Sequence, residues 1–439
     1  MLSKTTLPVQ AQTKALFDAE HEFIAPGLQT IALLSELAID YGKGVTLTDL
    51  DGKTYLDLNA GVSVASLGHA HPGYIAALTK QLQAISVGSF TSKPRVELVR
   101  LIAQLTPGQL NRTQFFSGGA EAVEAAIRLA RSYTKRTDII GFTSGFHGKT
   151  AGVLPLSDVA WKNLVGPLPP GHYLSPYADP TRFAGSDAQC RHHAIQELRK
   201  VVETQAAGRP AAIVIEPIQG TAGNIVPPTG FLRDVRTVAN EYGALLIADE
   251  MITGFGRTGQ MFGCSRDDVV PDVMTLGKGM ASGFPVSALV STDEIMAAKP
   301  FSLPSASSSS YGGNPLAAAA ALITIQTILG EKLMENSAKV GAVLRSGLEK
   351  MASKHRSIAN VRGEGLLIGF DLVADQETKR LLSTEKCIEF FKACLTEGLI
   401  MMGYTQRVRV HPPLILSAEQ ANSALNTIDS VLDRFERER

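Results

Sequence analysis

Five short runs, DIIGF (138–142), AAIVIEP (211–217), ALLIADE (244–250), DVMTL (272–276) and VSALVS (286–291), are apolar almost throughout. A strand with one wet face alternates apolar and polar residues, so runs like these read as strands covered on both sides. Between them lie stretches of helical spacing, including EAVEAAIRLARSY and GFLRDVRTVANEYG. Strand, turn and helix repeated from about residue 75 to 330 specify an α/β fold, a mostly parallel sheet wrapped by helices.

The flanks follow other rules. Residues 1–40 carry helix-like spacing, and YGKGVTLTDLDGKTYLDL alternates around Asp51-Gly52 as a hairpin does. After about 330 come an amphipathic helix, the glycine-broken segment VRGEGLLIGFDL, and a last strand and helix, which suit a smaller α+β domain. The expected organisation is residues 1–74 packing with the small domain, 75–330 as the large domain and 331–439 as the C-terminal small domain.

Lys+Arg and Asp+Glu both number 42, and no long basic run exists, which argues against a nucleic-acid or acidic-membrane surface. The start MLSKTTLPVQ has no apolar segment behind its charge, and LAAAAALITI (316–325) is too short to span a bilayer. Cys190, Cys264, Cys387 and Cys394 lack CxxC spacing, so a reduced, cytoplasmic chain without a zinc finger is expected. His69-Ala-His71 and His192-His193 have no carboxylate or thiol at ligand spacing, and no metal is assigned to them.

Chemistry concentrates in a few places. In TLGKGMASGFP (275–285) Lys278 stands between two glycines, which clears space around one amine. Asp249 ends an apolar run, where a carboxylate is costly unless something cationic or hydrogen-bonding meets it. It reads either as a cap or internal ion pair, or as an acid holding a heteroaromatic nitrogen protonated. A doubly wound sheet would deliver Asp249 and Lys278 to the same carboxyl edge, where ligands bind. RTQFFSGGAEAVEAAIRLAR (112–131) reads as strand, turn and a helix beginning near Glu121, with Ser117-Gly118-Gly119-Ala120 as a plain turn or a phosphate cup at a helix N-terminus. Phe146 and His147 lie in the Gly-flanked loop SGFHGKT, the phenylalanine as core or as a platform for a flat ring. SSSSYGGNP (307–315) is a linker or a second source of phosphate ligands. GFGRTG (254–259) matches a dinucleotide pattern but does not directly follow its strand, and no acid ends the next one, so a nucleotide is not assigned.

A phosphorylated aldehyde cofactor would use all of these pieces, and their order resembles the class III pyridoxal-phosphate aminotransferases of fold type I. The resemblance runs from DLDGKTYLDLNAGVSVASLGHAHP through SGGAEA, FHGKT, EPIQG, ADEMITGFGRTG, LGKGMASGFP and SSYGGNP to VRVHPPL. It implies pyridoxal 5'-phosphate as cofactor, with Lys278 as the Schiff-base lysine and Asp249 at the pyridine nitrogen. It puts Phe146 and Met251 on the two ring faces, and Gly118, Gly119 and Ala120 on the phosphate through backbone N–H groups. His147 and Glu216 complete the cofactor contacts. Ser310 matches a position offered from the neighbouring subunit, which implies a homodimer with shared active sites. Arg409 matches the arginine that clamps a substrate carboxylate, and Val62, Val64 and Phe90 are wall residues or ordinary core.

Compared with relatives acting on γ-aminobutyrate and ornithine, Thr221 stands where they have an acid, Ile252 where they have glutamine and Lys149 where they have arginine. The resemblance is therefore nearer the ω-amine and polyamine branches. The activity it implies is transfer of an amino group from an amine or ω-amino compound to pyruvate or 2-oxoglutarate. The same fold and lysine also suit an amino acid racemase or epimerase, and a non-catalytic cofactor-binding protein is a third reading.

Overall fold

The computed structural model describes residues 11–437, so the leader reading of MLSKTTLPVQ lies outside the described residues. By its contacts the chain divides into two compact units, residues 73–334 and residues 1–72 with 335–439. The expected boundaries fell at 74/75 and 330/331.

The unit 73–334 is built on seven strands: β1 (Arg112–Phe116), β2 (Ile139–Phe142), β3 (His172–Ser175), β4 (Ala212–Ile215), β5 (Leu245–Asp249), β6 (Val273–Leu276) and β7 (Ser287–Ser291). Their order across the sheet is β1-β7-β6-β5-β4-β2-β3. The pairs β2–β3, β2–β4, β4–β5 and β5–β6 are parallel, while β7 runs antiparallel to both β6 and β1. Every residue of β2, β4, β5, β6 and β7 is buried, which is why those five segments read as unbroken apolar runs. β7 reverses for a simple reason: the link from Leu276 to Ser287 is too short for the crossover that a parallel return needs.

Helix Gly119–Thr134 buries Ala122, Val123, Ala126, Ile127, Leu129 and Ala130, a small-residue face that lets it lie close on the sheet. These side chains join Ile139, Val214, Ile247, Val273 and Leu289 in one core cluster. LAAAAALITI falls inside the helix Pro315–Gly330, and no single described helix is long and apolar enough to cross a membrane.

The other unit contains the expected hairpin. Strands Thr46–Asp49 and Thr54–Asp57 pair antiparallel around a turn whose Gly52 has φ +85, and Ile39–Lys43 adds to one edge. Leu399–Ile400 pairs parallel with Leu56 and Asp57, so the N-terminal and C-terminal stretches share a sheet. The segment VRGEGLLIGFDL becomes the antiparallel pair Ile358–Glu364 and Leu367–Asp375, joined on its far side by Arg407–Val410. All four cysteines are buried and unbridged.

Candidate active site

β1, β5 and β6 run the same way, so their carboxyl ends share one edge of the sheet. At that edge Asp249, which is 2% exposed, is met by three donors. Its Oδ2 lies 2.6 Å from His147 Nδ1, and its Oδ1 accepts from the Thr275 hydroxyl at 3.1 Å and the Met251 N–H at 3.2 Å. A buried acid with this many partners is held in one orientation.

His147 is also buried, and burial alone would lower its pKa. The hydrogen bond and charge of Asp249, aided by Glu216, outweigh that and raise it, while Lys278 opposes as a nearby positive charge. Glu216 accepts the Phe146 N–H at 2.8 Å and the Gly220 N–H at 3.1 Å, which pins the loop carrying Phe146 to the loop after β4. Burial raises the Glu216 pKa, with His147 pulling against it. Phe146 itself is half-buried, with part of its surface open.

A histidine whose folded pKa is raised gives its full stabilisation below the free value of 6.5 and loses it as pH climbs through the raised one. Melting temperatures of the cofactor-free protein should therefore fall more steeply with pH above 6.5 in wild type than in His147→Asn. Parallel slopes would contradict the charged His147–Asp249 pair.

Lys278 follows β6 directly after Gly277 and has φ +42, in the left-handed region that a side-chain-bearing residue seldom adopts. Such backbone strain is concentrated at functional positions. Its neighbours explain the flanking glycine, because a Cβ on Gly277 would sit 2.6 Å from Met251 Sδ. The same sulfur is 3.3 Å from where a Cβ on Gly119 would be. Met251 therefore fills the gap between the lysine turn and the helix N-terminus, and the Ser287 hydroxyl donates to Gly118 O at 2.7 Å beside it.

The helix starts at Gly119, two residues before the expected Glu121. Glu121 turns its carboxylate back to accept the Ser117 and Gly118 N–H groups, both at 2.8 Å. Gly118, expected as a phosphate donor, thus has its N–H already taken. The Gly119 and Ala120 N–H groups have no acceptor among the described residues, and a helix N-terminus in that condition suits an anion.

Ser310 is exposed, and Phe90 is 86% exposed. The turn after Ser310 is packed rather than linker-like, because a Cβ on Gly312 would stand 2.2 Å from Phe115 O. GFGRTG is followed by a 3-10 helix, Gly263–Asp267, whose Gly263 and Cys264 N–H groups are accepted by the buried Glu250 at 2.8 and 2.7 Å. In the other unit, Arg409 is half-buried on the strand Arg407–Val410, and Val62 has φ +65 in a left-handed turn. Val64 is half-buried beyond that turn. Sequence reasoning missed Thr275 and Ser287; the only signal was the lone hydroxyl inside Val273–Leu276 and the serine that opens Ser287–Ser291.

The donor set fits a flat phosphorylated pyridine aldehyde: a lysine in reach of a buried histidine–carboxylate pair, and two open N–H groups at a helix N-terminus. Residues 31–432 match the family profile described as aminotransferase class-III. An acetylornithine aminotransferase of Methanothermobacter thermautotrophicus is 33% identical over 96% of this chain and 99% of its own length. One from Corynebacterium efficiens is 36% identical over 89% and 91%. Among solved structures, an (S)-enantioselective ω-transaminase from Thermomicrobium roseum superposes with a TM-score of 0.89 at 31% identity, covering 96% of this chain and 98% of that one. A transaminase from Virgibacillus gives 0.88 at 30%, covering 97% and 99%. The fold and site define a fold type I pyridoxal-phosphate enzyme. The chain belongs to the class III aminotransferase family and depends on pyridoxal 5'-phosphate.

Proposed function

We propose that the protein moves an amino group from an amine or ω-amino compound to a 2-oxo acid, pyruvate or 2-oxoglutarate, in two alternating half-reactions. The observation that carries this reading is the state of Arg409. Its guanidinium is half-buried, and burial lowers its pKa, with the nearby Tyr404 phenol pulling the other way. No described carboxylate lies within ion-pair distance of it. A planar cation left so is suited to a substrate carboxylate. The names of the relatives point to two kinds of donor, acetylornithine on one side and the amines of ω-transaminases on the other.

When bound, the cofactor supplies an aldehyde that exchanges amines and a ring that draws electrons from the substrate carbon. The chain's own residues do the rest. Lys278 would hold the cofactor covalently, and its amine would be the local base for the proton at the substrate carbon. Asp249, positioned by His147 and Thr275, would hold a proton on the ring nitrogen. Gly119 and Ala120 would hold the phosphate, with Gly118 shaping the turn, and Phe146 and Met251 would bracket the ring. Ser310 completes the phosphate site of a partner copy in a homodimer; its exposure, and that of Phe90, support such pairing.

A donor screen against pyruvate and 2-oxoglutarate tests the reading. Turnover with terminal amines, and a loss in Arg409→Ala of about 2–4 kcal/mol in kcat/KM for the 2-oxo acid, is the expected result. Inversion of a single amino acid enantiomer without a 2-oxo acid, and without net loss of amine, would replace it with a racemase.

A further inference from the structure

The edge of the sheet that carries Asp249 holds a second hollow further along, beyond β4. It has a volume of about 240 Å³ and lies between the segments that follow β2, β3 and β4 and the helix Asp187–Thr204. Pockets for drug-sized ligands run to roughly 300–1,000 Å³, so this one suits a smaller molecule. None of the residues assigned above to the cofactor or the substrate lines it.

One wall presents an acceptor with nothing to accept. Gln219 lines the hollow and is 2% exposed, and its Nε2 donates to Thr143 O at 2.9 Å. That contact fixes the amide's orientation, because a carbonyl can be met only by the NH2 group. The Gln219 Oε1 then has no donor among the described residues. A buried amide oxygen in that state is costly until a donor reaches it.

Two opposite charges line the same hollow without meeting. Residues 179–182 close as a turn, with the Arg182 N–H donating to Asp179 O at 3.3 Å. The Asp179 Oδ1 accepts the Thr181 N–H at 2.9 Å and its hydroxyl at 2.6 Å, which holds the carboxylate in place. The exposed Arg182 guanidinium has no carboxylate within ion-pair distance among the described residues. Ser144 adds a hydroxyl without a partner, on a backbone at φ +62, and strain of that kind gathers at functional positions. The remaining lining is uncharged in character. Tyr177 spends its O–H on the carbonyls of Glu216 and Pro217, both at 3.1 Å, and so offers its ring. Phe183 lies beside it in the lining, and burial pushes the Cys190 thiol up to about 11, which keeps it protonated.

We infer that this hollow is a second small-molecule site whose ligand is a zwitterion with an apolar tail, an α-amino acid of about the size of leucine. Its carboxylate meets Arg182 and the Ser144 hydroxyl, its ammonium donates toward Gln219 Oε1 and Asp179, and its side chain rests against Tyr177 and Phe183. A plain carboxylate would leave Gln219 Oε1 unmet and face Asp179, while a plain amine would face Arg182; a molecule with both charges answers each group. Ser144 is two residues from Phe146, and Gln219 adjoins Gly220, whose N–H meets Glu216. The ligand thus lies against the two loops that Glu216 joins.

The experiment uses cofactor-loaded enzyme reduced with borohydride, so that no aldehyde remains for an amine to attack. Calorimetric titration compares L-leucine with 4-methylpentanoate, which lacks the ammonium, and 3-methylbutylamine, which lacks the carboxylate. Leucine should bind and each truncated compound should bind far more weakly. Arg182→Ala should weaken leucine about tenfold, whereas Arg409→Ala should leave its affinity unchanged. Before reduction, Arg182→Ala should turn over its amine donor as wild type does. No binding of leucine, or equal binding of either truncated compound, would overturn the inference. So would a loss in Arg409→Ala without one in Arg182→Ala, which would put leucine in the active site instead. If Arg182→Ala fails to fold, the three compounds on wild type and leucine on Arg409→Ala decide the matter.

Discussion

Lys278→Ala is expected to abolish turnover and the yellow colour of the bound cofactor together. Two jobs are proposed for this amine, the covalent tether and the proton transfer, and groups that act as one unit are lost as one. Removing such a unit elsewhere costs about four to six orders of magnitude in kcat, and a loss on that scale is the expected result. Lys278→Arg separates charge from chemistry, because a guanidinium keeps the positive charge near His147 yet stays protonated and forms no imine. It should be about as inactive as the alanine variant. Absorbance spectra and initial rates of both proteins check this, and a variant that stays yellow and active would take Lys278 out of its role.

Asp249→Asn should lower kcat by at least about 10²–10³-fold while some cofactor is retained. The asparagine preserves shape and can still accept from Thr275, but it removes the negative charge that keeps a ring nitrogen protonated. The same change leaves His147 buried without its counter-charge. That removal of one partner from a buried pair is expected to cost about 3–5 kcal/mol in stability. The double variant Asp249→Asn with His147→Asn should recover part of the stability and none of the rate. Near-wild-type rates in the single variant would contradict the assignment of Asp249 to the electron sink.

Burial on both faces left its mark on five of the seven strands of the central sheet, so their existence was readable from unbroken apolar runs, whereas the partly exposed His172–Ser175 carried no such signal. Direction was not, because VSALVS looks the same whichever way it runs; the shortness of the link before it carries that information. Asp249 and Lys278 were legible for a related reason. An acid ending an apolar strand, and a lysine between glycines, each break a local rule that folding alone would keep. The partners that make them work were harder to see. His147 lies 102 residues from Asp249 in the chain, and only the order of strands brings them together. Glu121 claiming the Gly118 N–H is a local event, yet nothing in SGGAEA distinguishes a carboxylate that caps its own helix from one left in solvent.

The most direct test of the account is to reduce the cofactor-loaded enzyme with borohydride and map the peptides by mass. The account predicts a single pyridoxyl adduct, on the peptide containing TLGKGMASGFP and at Lys278. An adduct on another lysine, or none on this peptide, would contradict it.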